Sequence, residues 1–377
     1  MNTSFRIATV DDVFELMRLH QLDSAEPARD GIMVDHNKLA RALEDPRDLW
    51  VVGHDKSGRI HCSASAMLDL EQALCKIHRL CADPHLDGPD LRARSLVSFL
   101  IETLTARGDI EVVYTTTWKM SQRAIDLTQE IGFRLLGIFP NVISADTSRL
   151  NAIAALYLGD VLEQRRMDVP EVHPSVWPFA KLVFDQWPEH PGRQPAPAAQ
   201  SPLPEITEVM PPLEIIDAPL FVNRRYHELK SRHFFDVAFY PFQTPNAVLT
   251  SPSQDTEVFV RTIPALRFAM ILGERVSGAI DPVELYRQVA QQLSRRGITY
   301  VETIADASDL IAAECLASAG YLPSVYFPGL KRHGKGRRDY VVFGRSMERT
   351  LVPPQARSKQ LKRFWGAYCE NERALLT

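Results

Sequence analysis

The sequence contains no apolar run approaching the roughly 18 residues that cross a bilayer as a helix,. The opening Met1–Val10 carries no apolar core of signal-peptide type, so an exported or membrane-anchored protein is not expected,. Cysteine is scarce. The five residues Cys62, Cys75, Cys81, Cys315 and Cys369 are odd in number and form no CxxC pair, which argues against a disulfide framework or zinc ribbon and predicts reduced thiols in a cytoplasm,. Charge of one sign is also lacking, with 43 Lys and Arg against 47 Asp and Glu, so neither nucleic acid nor membrane is expected as a partner,. His227 and His233 stand at no metal-ligand spacing with a Cys or carboxylate pair, and no metal is predicted,. What remains is an ordinary globular composition, 45% apolar and 24% charged, in 377 residues,. At roughly 100 to 200 residues per domain, that length predicts two or three domains.

Proline marks the seam. Of 26 prolines, 11 fall between Pro170 and Pro212, and the run Pro188–Pro197 can be neither helix nor central strand because each proline lacks an N–H and restrains its neighbour,. Pro188 to Pro212 reads as an extended linker. Phe179, Leu182, Val183 and Trp187 predict a short helix before it,. The divisions expected are 1–165, a helix and linker over 166–212, a second domain over 213–350 and a basic tail helix over 351–377.

The first half alternates strands and helices. Phe5–Thr9 reads as strand, and Asp11-Asp12 opens a helix with Val13, Leu16 and Met17 on one face,. Leu49–His54 and Ile60–Leu68 flank the turn Asp55-Lys56-Ser57-Gly58 as a strand pair,. Leu74–Ala82 is strand. Leu91–Ala106 is helix, with Leu96, Phe99, Leu100, Thr103 and Leu104 inward and Gly108 ending it,. Ile110–Thr117, the helix Ser121–Ile131, Arg134–Phe139 and Ile153–Leu158 complete an α/β set, a mixed sheet with helices on its faces,.

The second half repeats landmarks of the first. Leu104-Thr105-Ala106-Arg107-Gly108 answers to Leu293-Ser294-Arg295-Arg296-Gly297, and a strand follows each. A helix then ends at Gly132-Phe133 or Gly320-Tyr321, and Phe139-Pro140 matches Phe327-Pro328, after which a loop and a last strand are expected. Spacing kept over about 55 residues points to a duplicated fold.

On these residues the chain resembles the GNAT superfamily of N-acetyltransferases. Phe5–Val13 looks like the family's first strand and helix. Ile77-His78-Arg79-Leu80-Cys81-Ala82-Asp83-Pro84 looks like its fourth strand, and Ala93-Arg94-Ser95-Leu96 like the start of the helix after the CoA pyrophosphate loop. Ala124 with Gly132-Phe133 looks like its late helix and the strand that follows. The resemblance implies two GNAT-like domains in tandem joined by the Pro-rich linker, with acetyl-CoA or another acyl-CoA as co-substrate of the first. It implies contacts from Leu80, Cys81 and Ala82, from Gly88, Leu91, Arg92, Ala93, Arg94 and Ser95, and from Ser121 and Ala124. A strand with free backbone groups suits the amide-bearing pantetheine arm, and a helix N-terminus suits a diphosphate.

The sequence also departs from the family. The loop pattern Arg/Gln-x-x-Gly-x-Gly/Ala falls on Gly88, Leu91 and Ala93, so leucine replaces the central glycine. In the second half, Asp281-Pro282-Val283-Glu284 is a good capped helix start and a poor anion cradle,. The tyrosine that the family often uses as acid, four residues before the glycine of "GF", is Thr128 in one half and Leu316 in the other.

Candidate chemistry therefore gathers on the Leu74–Ala82 strand. His78 is proposed as base, since an ordinary imidazole pKa of about 6.5 suits proton transfer; a structural histidine is the alternative. Glu71 could act through water or be a loop residue. Tyr114 could protonate sulfur or simply pack. Cys81 reads as a buried, inert thiol. The aromatic and histidine segment Val222–Asn246 reads either as an acceptor pocket or as core of the second domain. The run Lys331–Arg338 reads as a basic phosphate contact or a solvated hairpin, and Lys359–Phe364 with Trp365 and Tyr368 as a docked helix,. The function expected is acyl transfer to an amine, on a small molecule or a protein lysine, by a cytoplasmic protein that also pairs as a homodimer. The alternative is a non-catalytic acyl-CoA-binding or scaffold protein of the same fold.

Overall fold

A computed structural model describes residues 3–22, 32–86, 88–117, 122–140, 151–166, 171–187, 194–199, 210–232, 235, 240–277, 280–348 and 358–376. The chain forms two compact units. One comprises Met1–Thr116, Ser121–Arg134 and Ala154–Val161, and the other Thr117–Met120, Leu135–Ile153 and Leu162–Thr377. The linker predicted over Pro188–Pro212 lies mostly outside the described residues.

The first unit opens with β1 (Ser4–Ile7), α1 (Val13–Leu22) and α2 (His36–Glu44). A single turn of 3-10 helix precedes α1. Its Asp12 is buried and held by Arg6 at 2.6 and 2.7 Å and by the Thr9 N–H at 2.8 Å, so of the two aspartates Asp12 ends as a salt-bridged cap,. Helix α2 was not legible in the pattern because it buries only Leu39 and Ala42. Strands β2 (Asp48–His54), β3 (Ile60–Asp69) and β4 (Leu74–Ala82) run antiparallel, with β1 outside β2. Helix α3 (Pro89–Arg107) crosses back, burying Leu96, Val97, Leu100 and Leu104 at helical spacing, and Gly108 ends it at φ 73°,. Strand β5 (Val112–Thr117) then pairs with β4 in parallel. Helix α4 (Gln122–Ile131) follows. Leu16, Leu19, Leu39, Trp50, Val52 and Cys81 form the core beneath α1 and α2.

Strands β6 (Arg134–Phe139) and β7 (Asn151–Tyr157) come next, then β8 (Glu171–Val172), α5 (Trp177–Phe184) and β9 (Ala196–Pro197). In the second unit β10 (Glu214–Ile216), helix α6 (Pro219–Ser231), β11 (Ala247–Thr250), β12 (Thr256–Ile263) and β13 (Phe268–Val276) give an antiparallel ladder of four strands. Helix α7 (Pro282–Ser294) leads to β14 (Tyr300–Asp306), which pairs with β13 in parallel. Helix α8 (Leu310–Ser318), β15 (Leu322–His333), β16 (Gly336–Ser346) and α9 (Lys359–Leu376) complete it. Asp281 caps α7 through the Val283 N–H at 2.8 Å, with Pro282 in the first turn, as its sequence predicts,.

Each unit shows the same succession of an antiparallel ladder, a crossover helix and a parallel strand. Matching backbone bonds recur at matching places. Ala73 O accepts from Glu111 and Val112, and Arg267 O from Thr299 and Tyr300; both acceptor residues are left-handed, φ 49° and 51°. Phe133 N–H reaches Thr128 O at 3.0 Å, and Tyr321 N–H reaches Leu316 O at 2.9 Å. One expectation needs correction: Phe327-Pro328 is followed by no loop. Strand β15 continues to His333, accommodating the proline at a register shift between Phe327 and Lys331,.

Three segments left open by the sequence are resolved inside the second unit. Tyr226 packs on Phe235 and Phe259 in its apolar core, so the described part of Val222–Asn246 is core; His227 is exposed, and His233, Phe234 and Phe239 lie outside the described residues. The Lys331–Arg338 run is the β15–β16 hairpin, with His333, Gly334 and Lys335 exposed at its tip as a solvated hairpin would have them, but Arg337 and Arg338 are engaged by the protein. Arg337 is 1% exposed and donates to Gly329 O and Leu330 O, and Arg338 meets Asp306 at 3.3 Å. Helix α9 buries Leu361, Phe364, Ala367 and Tyr368, with Phe364 on Phe179 of α5.

Candidate active site

The site starts from a fork between two strands. Strands β4 and β5 pair in register from Leu74↔Val112 to Ile77↔Thr115, where the ladder ends, with Thr115 Oγ1 donating to Ile77 O at 3.3 Å. Strand β4 runs on to Ala82. Just past the fork it bulges: Ser65 faces His78, but Ser63 faces Cys81, so three residues of β4 answer to two of β3,. Arg79 sits in this bulge with φ 49°, a left-handed backbone that is uncommon outside glycine,. The bulge turns Leu80 outward, 45% exposed, while Cys81 returns to the core at 3% with its thiol 3.8 Å from Leu19 O.

Strand β4 hands on to a tight turn and helix. Asp83 is buried, its N–H bonded to His61 O and its carboxylate accepting from the His85 N–H at 3.0 Å. Gly88, φ 68°, is the N-cap of α3, and Pro89 takes the first helical position, where its missing N–H costs nothing,. Leu91 is 63% exposed. Asp90 adds a negative charge in the first turn. The two arginines expected to supply charge here are differently placed. Arg92 turns inward, with its Nη1 buried and without a hydrogen-bond partner among the described residues; Arg94 pairs with Glu130 of α4 at 2.8 Å. Ala93 is half-buried, and Ser95 donates to Leu91 O at 3.0 Å. Ser121 and the side chain of Ala124 lie outside the described residues.

The proposed base reads differently in place. His78 is enclosed, and burial first, then Arg79 and Lys76, push its pKa down to about 2,. It is a neutral, weakly basic ring at physiological pH, so the general-base role drawn from an unperturbed imidazole is not supported. Glu71 is exposed in the turn before β4, seven residues ahead of His78 in sequence. Tyr114 pairs with Lys76 in register, its ring 5.9 Å from Nζ. It is 4% exposed, and burial holds its phenol protonated well above the usual range,.

Four residues that the sequence did not single out complete the cluster. Trp50 of β2 lies opposite Ser65, which lies opposite His78, so register alone brings these three into one row. Arg79 places its guanidinium carbon 5.8 Å from the Trp50 ring centroid,. His20 of α1 packs edge-on against Trp50 and lies 2.9 Å from Ser63 Oγ. Lys76 precedes the fork. Lys76 and Arg79 lie three residues apart on β4, but His20 and Trp50 are distant from them and from each other in sequence, and no spacing signals the four together. Among the described residues no group of three His, Cys, Asp or Glu could hold a metal ion, and no helix is long and apolar enough to cross a membrane.

No family model matches the sequence, and no curated protein matches it. Solved structures do. The chain is similar to the ribosomal-protein-S18-alanine N-acetyltransferase from Escherichia coli at 19% identity, over 42% of this chain and 95% of that one, with a TM-score of 0.36. It is similar to an acetyltransferase of the GNAT family from Streptococcus pneumoniae at 16% identity, over 42% and 100%, TM-score 0.37. It is also similar to a candidate acetyltransferase from Salmonella typhimurium solved with its cofactor acetyl-CoA, at 19% identity, over 42% and 95%, TM-score 0.37. About two-fifths of this chain is similar in structure to GNAT acetyltransferases.

Proposed function

We propose that the first unit transfers an acyl group, acetyl above all, from acyl-CoA to an amine. The observation that carries this is the β4–β5 fork, with β4 bulged just beyond it and leading straight into the Gly88 turn and α3. Pantetheine would lie along His78–Ala82 as an added strand, and the diphosphate against the turn and the first N–H groups of α3. In the reaction the amine nitrogen attacks the thioester carbon. The C–N bond forms, the C–S bond breaks, sulfur leaves with its electron pair and gains a proton, and the amine nitrogen loses one. Backbone N–H groups near Leu80 would polarise the carbonyl. Of the predicted acid–base groups, Tyr114 stays protonated and stands at the fork, which keeps it as candidate donor to sulfur. Loss of a proton from the amine would pass to water, given the weak basicity of His78.

The two units are read as copies of one fold in tandem, on the strength of their matching strand successions and backbone bonds. The second is read as having lost the cofactor. Its fork ends at Met270↔Glu302, so a carboxylate stands at the place of Tyr114, and Asp281 occupies the N–H groups at the start of α7. A small-molecule amine or a protein lysine in the cytoplasm is the acceptor proposed, and a homodimer the assembly.

A second reading, a non-catalytic acyl-CoA-binding protein, is favoured by Thr128 and Leu316 at the places of the family's tyrosine and by the inert His78. Calorimetry with acetyl-CoA tests both. Binding below millimolar concentration supports them, and none at that level sinks both. Thiol release on addition of an amine panel then separates enzyme from binder.

A further inference from the structure

The second unit holds a chain of side-chain hydrogen bonds that ends on a serine. His173 follows β8, and Ser175 comes just before α5. The backbone turns sharply here, since the Val176 and Trp177 N–H groups both donate to His173 O, at 2.8 and 3.1 Å. Ser175 is thereby folded back onto the imidazole, with its Oγ 2.8 Å from His173 Nδ1. The partners of the neutral ring fix its tautomer. The Ser175 N–H donates to Nδ1 at 3.2 Å, so Nδ1 is an acceptor and the ring proton lies on Nε2,. Nε2 in turn lies 2.9 Å from Glu314 Oε2 of α8. The other carboxylate oxygen of Glu314 accepts from Ser318 Oγ at 3.3 Å, which holds the carboxylate in place. His173 is 6% exposed, whereas Ser175 is only half-buried. Asn371 of α9 completes the group. Its Nδ2 donates to Ser175 O at 2.8 Å and carries a second N–H,.

We propose that Ser175, His173 and Glu314 form a nucleophilic serine site that hydrolyses carboxylic esters, carried wholly by the second unit. The chemistry requires a nucleophile within hydrogen-bond reach of a base, and a third group that orients the base. Ser175, His173 and Glu314 stand in those three roles. The two backbone bonds to His173 O already close the turn, so the side-chain chain is not needed to shape it. In the reaction Ser175 Oγ attacks the ester carbon and its proton passes to His173 Nδ1. The imidazolium so formed is held by the Glu314 carboxylate, and the second N–H of Asn371 is the donor assigned to the oxyanion. The C–O bond to the alcohol breaks, and the alcohol leaves with its electron pair and the proton from Nδ1. Water then attacks the acyl-serine, gives a proton to Nδ1, and the carboxylic acid departs as Ser175 Oγ takes that proton back. The sum is ester and water to acid and alcohol, with no other reactant. None of this draws on the acyl-transfer reading of the first unit.

The test uses the full chain with an alkyl fluorophosphonate and with p-nitrophenyl acetate. The fluorophosphonate should add once per chain, on Ser175 when the peptides are mapped by mass spectrometry, and should block release of p-nitrophenol. Ser175→Ala should abolish both reactions. His173→Gln should slow both by about 100-fold or more, the usual contribution of a positioned base. Glu314→Gln, which keeps an acceptor but loses the charge, should slow them by a smaller factor. Added imidazole should restore part of the rate to His173→Ala, which a purely structural histidine would not allow. Urea midpoints recorded alongside show that each variant is folded. No fluorophosphonate on Ser175 of the wild type, labelling at an equal rate in His173→Gln, or ester turnover at the wild-type rate in Ser175→Ala would each overturn the proposal and leave the three side chains as a lock on the turn. Because acetyl-CoA takes no part, failure of the acyl-transfer reading leaves this result unaffected.

Discussion

Arg79 sits beside His78, with its Nη1 2.9 Å from Nδ1 of the ring, and burial first, then this cation, keeps the histidine from taking a proton. A second cation on that imidazole would face Arg79 directly and Lys76 nearby,. The ring should therefore show no titration between pH 5 and 8 when its carbon-bound protons are followed by NMR. The sign for stability follows. The unfolded ring binds a proton below about pH 6.5, whereas the folded one resists until about 2. Stability from this site is complete above the unfolded pKa and is lost progressively as pH falls from there toward 2. His78→Gln should flatten the acid side of the stability curve between pH 6 and 4. A ring that titrates near 6.5 would refute this account and restore His78 as candidate base.

Gly88 tests the loop. Its φ of 68° is left-handed, and a Cβ there would meet only Leu91 Cβ at 4.0 Å, so strain rather than crowding sets the cost. Gly88→Ala should cost about 1 kcal/mol, the usual penalty for an L-residue in that region, and lower Tm by roughly 2–4 °C. If the turn binds the diphosphate, acetyl-CoA affinity by calorimetry should fall well beyond that small stability loss. Unchanged affinity would remove the turn from the cofactor site.

Much of the framework was legible because strands and capped helices announce themselves locally. The limits of Leu74–Ala82 and Arg134–Phe139 were read from the sequence as they stand in the structure, and Asp281-Pro282 marked the start of α7. The cluster around the fork was not legible in the same way. Trp50, Ser65 and His78 meet only because three antiparallel strands share a register, and Arg79 joins them only because of a one-residue bulge. Sequence spacing carries neither fact. The altered reading of His78 has the same origin: its ordinary pKa is a property of the residue, but the burial and cations that lower it come from packing. Arg337 misled similarly, since a Lys- and Arg-rich run reads as solvated until a buried carbonyl accepts from it.

Gly137 and Gly366 make a contrasting pair within the second unit. A Cβ on Gly137 of β6 would lie 2.2 Å from Ser324 O and 2.5 Å from Val325 Cα, both backbone atoms of β15 that cannot swing away. Gly137→Ala should destabilise by about 2–3 kcal/mol through forced separation of the two strands. A Cβ on Gly366 inside α9 meets nothing within 4 Å. Gly366→Ala should stabilise by roughly 0.5–1 kcal/mol, because alanine loses less backbone freedom in a helix. Urea unfolding of both variants checks the pair, and equal effects would show that β6 and β15 do not approach closely at Gly137.

Asp339 and Arg165 form a heavily buried ion pair in the second unit, and it makes the strongest stability prediction. Asp339 is 1% exposed and accepts from Arg165 Nε at 2.8 Å, from Arg165 Nη2, from the Tyr326 hydroxyl at 2.5 Å and from the Gly329 N–H at 2.8 Å. The Arg165 guanidinium also lies 4.3 Å from the Phe184 ring centroid, so both ions are enclosed. Taking two charges out of water is costly, and their attraction offsets that cost only while both are present. Arg165→Met leaves a carboxylate with two neutral donors in an apolar surround, and should cost about 3–5 kcal/mol. Arg165→Met with Asp339→Leu removes the stranded charge as well, although it frees the Tyr326 hydroxyl and the Gly329 N–H. The double variant should therefore be more stable than Arg165→Met alone and far from the sum of the two single changes. Urea unfolding of the wild type, both single variants and the double variant closes the cycle. If Arg165→Met costs less than about 1 kcal/mol, the value of an exposed pair, the cluster is solvated in solution and the pair is not buried.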